Sequence, residues 1–242
     1  MQLHVGTSGY SYKEWKGVFY PDDLSAGDML RFYGSRLSAV EINNTFYRLP
    51  RMSVLEAWCE QVPDSFRFSI KASRKITHFK RLKPEAADET RYLVDTVGTM
   101  GSRLGALLFQ LPPNMKVDVD RLSAFLDLLP PDVPAAFEFR HDSWRDESVH
   151  EVLRRRGAAL VCADTEDSDG DEPIVATTTW GYLRLRRPTY SDADLGRWAD
   201  TIRAQGWERA FVFFKHEDEG AGPRMAERFG AVCADRTDHA SS

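Results

Sequence analysis

Eight short apolar or alternating runs start near residues 3, 39, 66, 105, 135, 158, 181 and 210, spaced 23 to 39 residues apart. Runs of this length bounded by turn residues read as strands, and the spacing leaves room for one helix in most of the gaps. Helical periodicity fills them over Ala26–Leu37, Ser53–Gln61, Pro84–Arg103, 118–129, 146–156, 191–205 and 223–234. The second helix opens with a Ser53/Glu56 capping box and the third with Pro84 in its first turn. The gap between the sixth and seventh runs is short and holds the acidic stretch Asp164 to Glu172, so the helix there is expected to be missing or rudimentary.

Strict βα alternation points to an α/β fold, a (β/α)8 TIM-type barrel that is irregular between strands six and seven. A doubly wound open sheet uses the same alternation and differs only in closure. No linker or repeat divides the chain, which reads as one domain over residues 1–242 with a frayed tail from about 235.

Composition narrows the classes. A hydrophobic share of 42% with 14 Phe, 8 Tyr and 6 Trp supplies a full core, which excludes a disordered chain. A net charge of -5 argues against a broad polyanion-binding face, so any phosphate recognition has to be local. The three cysteines, Cys59, Cys162 and Cys233, have neither zinc nor redox spacing and suit a reducing compartment. The first residues lack a basic segment followed by an apolar one, and no apolar run approaches 18 residues. The expectation is therefore a cytoplasmic protein without membrane contact.

In a barrel, alternate strand residues face inward and chemistry gathers at the C-terminal mouth. Every run ends in polar residues: Thr7 and Ser8, Glu41 and Asn43, Ser69 and Lys71, Gln110, Glu138 and Arg140, Asp164, Arg184, and Lys215. An unpaired buried charge is costly, so these groups either neutralise one another as an ionic plug or serve a ligand. Lys71, Arg140, Arg184 and Lys215, with His78, His141 and His216, outnumber Glu41, Glu138 and Asp164, which favours an anionic ligand.

The enzymatic expectation is phosphoester or sugar-phosphate chemistry. Arg140, Arg184 and Lys71 clamp the anion, and Glu41, Glu138 and Asp164 provide acid–base groups. Thr7, Ser8, Tyr12, Asn43, His78, Gln110, His141, Trp144 and Lys215 complete the ligand-binding set. If Glu138 and Arg140 line a solvated site, Glu138→Gln is expected to lose function while keeping its thermal midpoint within a few degrees. Glu41, Glu138, Asp164 and His141 also form a possible divalent-cation set, but no compact ligand motif occurs and a metal-free site is preferred. A serine nucleophile is weaker still, because Thr7-Ser8-Gly9 lacks a nucleophile elbow.

The non-enzymatic alternative is a binding protein for nucleic acid or a small anionic metabolite. It would use the basic segment 71–83 (Lys71, Arg74, Lys75, His78, Lys80, Arg81, Lys83) with Tyr10, Tyr12, Trp15, Phe19, Tyr20, Phe46 and Tyr47 as stacking surfaces. The pattern carries no signal for oligomeric state.

The stretches Gly6-Thr7-Ser8-Gly9-Tyr10-Ser11-Tyr12, Val40-Glu41-Ile42-Asn43-Asn44-Thr45-Phe46-Tyr47-Arg48-Leu49-Pro50, Phe109-Gln110-Leu111-Pro112-Pro113 and Glu138-Phe139-Arg140-His141-Asp142-Ser143-Trp144 resemble the YecE-like family, also called domain of unknown function 72. The resemblance runs from residue 3 to about 230 and implies a TIM barrel, without supplying a reaction. Two departures add positive charge. Arg186-Arg187 stands where the family commonly has His-Gly, and Phe214-Lys215-His216 where it commonly has Phe-Asn-Asn.

Overall fold

The computed structural model describes residues 1–166, 174–215 and 220–239, with side chains through Arg236. Eight parallel strands close into a barrel in sequential order: β1 (Gln2–Ser8), β2 (Ala39–Ile42), β3 (Arg67–Lys71), β4 (Leu104–Gln110), β5 (Ala135–Glu138), β6 (Ala159–Asp164), β7 (Trp180–Leu185) and β8 (Arg209–Phe214). Each begins within one residue of the start expected from the apolar pattern. Closure comes from β1 pairing with β8, Gln2 opposite Arg209 through Thr7 opposite Phe214, which disposes of the open doubly wound sheet.

Helices α1 (Met29–Arg36), α2 (Met52–Glu60), α3 (Ala87–Gly98), α4 (Val119–Leu126), α5 (Glu147–Arg156), α6 (Asp192–Ala204) and α7 (Ala221–His239) surround the barrel. No described residue between β6 and β7 is helical, and part of the acidic stretch, 167–173, lies outside the described residues, as does His216. The last helix continues to His239, past the point near 235 where the sequence pattern ends.

Local chemistry sets the boundaries. Asp118 and Asp146 cap α4 and α5 with side-chain bonds to Arg121 N and Ser148 N, and Ser191 with Asp194 forms a reciprocal capping box on α6. The Ser53/Glu56 box does not form. Arg51 is the extended residue before α2, so Ser53 is already inside the first turn. The helix expected over Pro84–Arg103 breaks into a 3-10 turn, α3 and a second 3-10 turn, with Gly101 at φ +54° turning the chain into β4.

Two apolar layers form the core. Between strands and helices lie residues such as Tyr33, Phe66, Phe109, Phe125 and Phe229, while the barrel interior holds Ala39, Ala106, Leu108, Ala136, Ala159, Trp180, Tyr182, Phe211 and Phe213. The interior is asymmetric. Alanines on β2, β4, β5 and β6 leave the volume that the large rings of β7 and β8 fill, so the barrel is packed solid below its mouth.

Close approach also limits β1. A Cβ on Gly6 would lie 1.8 Å from the Ala39 carbonyl oxygen of β2. The backbone itself would have to move, so Gly6→Ala is expected to lower stability by about 1–3 kcal/mol or more, read as a fall in the urea midpoint. Among the described residues, no helix is long and apolar enough to cross a membrane.

Candidate functional site

The ends of β2, β5 and β7 bring Glu41, Glu138 and Arg184 together although Glu41 and Arg184 are 143 residues apart. All three are at most 3% exposed. One terminal nitrogen of Arg184 donates to Glu41 Oε1 at 2.8 Å, and the other to Glu138 Oε2. Glu41 Oε1 also accepts from Ser8 Oγ at 2.9 Å and Asn43 Nδ2 at 3.0 Å, while its Oε2 accepts from Tyr182 Oη at 2.7 Å. Ser69 Oγ, 2.6 Å from the same phenol, extends the chain. Glu138 Oε1 accepts from Gln110 Nε2 at 2.8 Å and Arg140 Nε at 3.1 Å.

Burial alone would raise the Glu138 carboxyl, but Arg184 and Arg140 outweigh it and hold its pKa down at about 2. The same opposition, settled by Arg184 with Tyr182 and Ser8, keeps Glu41 below the usual carboxylate range. Arg184 is pushed up: the two carboxylates more than offset its desolvation. These groups form a self-satisfied inner layer with little capacity to exchange protons. Arg184 cannot clamp a ligand with its fork, because both terminal nitrogens are committed and only Nε is buried without a partner.

Above it lies an outer layer of cations. Arg140 uses Nε for Glu138 and leaves the rest of its guanidinium, on a side chain that is 39% exposed. Arg186, half-buried and two residues beyond Arg184, makes no side-chain hydrogen bond or ion pair among the described residues. Burial and then Arg184 lower its pKa. The Lys71 ammonium sits 4.5 Å from the Phe46 ring centroid. Burial, then Arg184, depress it to about 8 against the pull of Glu41 and Glu138. Glu41 and Glu138 are thus the acids that act on both Lys71 and Arg186.

A cleft of about 780 Å³ opens over β5 to β8, lined among others by Glu138, Arg140, His141, Asp164, Arg186 and Lys215. Trp144 forms part of its wall, stacked on Phe139 at 4.4 Å with its indole N–H given to the Met115 carbonyl. His141 Nδ1 accepts from Ser143 N, which turns the chain after β5. Asp164 is tied by Arg187, at 2.8 Å, and by the Tyr190 hydroxyl at 2.9 Å.

Several sequence expectations change here. Thr7, one residue out of phase with Ser8, faces α1, where its hydroxyl lies 2.9 Å from Tyr33 Oη, so it stands outside the mouth. Tyr12 caps the rim above β1 by donating to the Ser8 carbonyl. His78, with Nδ1 2.9 Å from Thr77 Oγ1, packs edge-on against Phe46. The cation set of Glu41, Glu138, Asp164 and His141 is not gathered: Arg184 takes the first two, Arg187 takes Asp164, and no metal-holding group of three or more such residues exists among the described residues. The sequence reading passed over Tyr182 and treated Arg186 only as a departure. Their common signal is alternation, since Tyr182, Arg184 and Arg186 share one strand face.

Part of the basic segment is tied down within the fold. Lys80 pairs with Glu89 at 2.6 Å and Arg81 donates to Asn114 at 3.2 Å. Arg74 instead lies over the exposed rings of Tyr47 and Phe79, 5.2 and 5.3 Å from their centroids.

The chain is similar to known proteins along nearly its whole length. It is 25% identical over 177 residues to the UPF0759 protein YecE of Escherichia coli (strain K12), covering 71% of this chain but 62% of that relative. The UPF0759 protein YunF of Bacillus subtilis (strain 168) matches over 231 residues at 25% identity, 90% of this chain and 79% of the relative. A crystal structure of a DUF72 family protein from Thermotoga maritima superposes with a TM-score of 0.84 at 26% identity, covering 97% of this chain and all of that one. The family model described as "Protein of unknown function DUF72" matches residues 4–241, and the chain belongs to that family.

Proposed function

We propose that the C-terminal mouth binds a small phosphate-bearing molecule, with Arg140 and Arg186 as its principal contacts and Lys215 beside them. One observation carries this reading: Arg186 is a half-buried guanidinium with no side-chain partner among the described residues, in a cleft where Glu138 and Asp164 are already held by Arg184, Arg140 and Arg187. A fold gains nothing from holding such a charge, and an anion that supplies two or three charged hydrogen bonds removes the cost. Its position after β7 agrees with the general tendency of TIM barrels to take phosphate at the loops after strands seven and eight.

Glu41 and Glu138 serve in this reading by fixing Arg184 and Arg140, and Asp164 by fixing Arg187. The nucleic-acid alternative draws support from Tyr47, Arg74 and Phe79 at the rim.

The test is thermal unfolding in chloride and in phosphate at matched ionic strength. Specific binding raises the midpoint with saturation, by RT ln(1 + [L]/Kd), about 2.7 kcal/mol at a hundredfold excess over Kd. Equal midpoints in both salts contradict the reading. A short oligonucleotide that stabilises far more than its phosphate content favours the alternative.

A further inference from the structure

We propose that Lys71 is a nucleophilic amine that condenses with the carbonyl group of an aldehyde or ketone carrying an anionic group, forming an imine in the mouth. The inference rests on the anion-binding reading above and names the substrate class that reading leaves open. Lys71 ends β3 at the C-terminal mouth and is half-buried. Among the described residues its ammonium has no carboxylate within ion-pair distance and donates no hydrogen bond; its contact is the Phe46 face. A lysine placed only to seal the barrel would be expected to pair, as Lys80 does with Glu89.

The surroundings favour the neutral amine. Burial acts first, then Arg184 from β7; Glu41 on β2 and Glu138 on β5 oppose, and Arg140 adds to the lowering, so that the pKa stands at about 8. Desolvation beside other cations is the arrangement that activates an amine near neutral pH. The cations that depress Lys71 also attract an anionic carbonyl compound, so one cluster serves both recognition and activation.

His78 leans on the same Phe46 ring, 4.9 Å between centroids. Burial, then Lys71, Arg140 and Arg81, hold its pKa below that of an ordinary imidazole, which leaves it neutral and able to accept a proton. In the step itself the nitrogen lone pair attacks the carbonyl carbon and the C=O π pair moves to oxygen. The two amine hydrogens then leave with that oxygen as water, giving C=N. No electrons are gained or lost.

Pyridoxal 5′-phosphate, an aldehyde bearing a phosphate, is a suitable probe of the full chain when added below one equivalent and trapped with borohydride. Peptide mapping is expected to find the label on Lys71 ahead of the other lysines, and Lys71→Arg, which keeps the charge, should lose that label. Labelling should rise with pH through about 8. Label spread over surface lysines, total label unchanged in Lys71→Arg, or an inflection in the ordinary lysine range would overturn the proposal.

Two further results separate it from the reading it rests on. If pyridoxal without phosphate labels Lys71 equally fast and inorganic phosphate gives no protection, the amine stands and the phosphate site falls. If phosphate stabilises the protein and Lys71 stays unlabelled, the phosphate site stands and this inference falls.

Discussion

Arg184→Met is expected to lower stability by about 3–5 kcal/mol, on the order of 10 °C in thermal midpoint for a chain of this size. Arg184 is 3% exposed and, among the described residues, is the only cation paired with both Glu41 and Glu138. Without it Glu41 keeps only neutral donors, Glu138 keeps the half-exposed Arg140, and both carboxyls drift upward in pKa.

The pH dependence should therefore reverse. In the parent, Glu138 titrates lower when folded, near 2, than when unfolded, near 4.5. Its contribution, on the order of 3 kcal/mol, is present above pH 4.5 and lost as pH falls toward 2. In Arg184→Met the folded carboxyls titrate above their unfolded values, so stability is lost as pH rises through them. Urea unfolding at pH 5 and pH 8 reads the difference, with the variant more stable at pH 5. Adding Glu138→Gln should restore part of the loss, because the cost lies in the orphaned charge. A loss below about 1 kcal/mol would mean that water reaches the carboxylates and the inner layer is not sealed.

The same geometry revises the expectation for Glu138→Gln. A carboxylate 3% exposed and bonded to Arg184, Arg140 and Gln110 cannot be neutralised without cost, so its thermal midpoint should fall with its function.

Strand positions were legible because parallel strands buried on both faces are continuous apolar runs, and their polar ends mark the mouth. Which polar residues pair was not legible. Glu41 meets Arg184 across 143 residues and Glu138 meets it across 46, distances fixed only when the barrel closes. The count of cations over acids could not separate Arg184, committed to two carboxylates, from Arg186, which has no side-chain partner among the described residues. Thr7 was misplaced because adjacent strand residues face opposite sides, and Ser8 had already claimed the inward one. Tyr182 packs in the barrel interior, yet its hydroxyl completes the Glu41 shell. The capping box on α2 failed by two residues, within the usual margin of a helix end.

Arg186→Met should carry the opposite signature to Arg184→Met. Among the described residues the side chain has no hydrogen-bond or ion-pair partner, and burial, then Arg184 and Arg140, disfavour its charge against the pull of Glu138 and Glu41, so removing that charge should let the thermal midpoint hold or rise. Phosphate affinity should fall by about 1.5–3 kcal/mol, roughly 10- to 150-fold. Arg140→Met should weaken binding similarly, and the two losses should not add fully because both residues contact one ligand. The decisive measurement is a calorimetric phosphate titration of the parent and of Arg186→Met at one ionic strength, beside their unfolding curves. One saturable event in the parent, weakened at least tenfold in a variant of equal or greater stability, is the predicted result. Equal affinity in the two proteins, or no saturable event in the parent, would contradict a phosphate site in this barrel mouth.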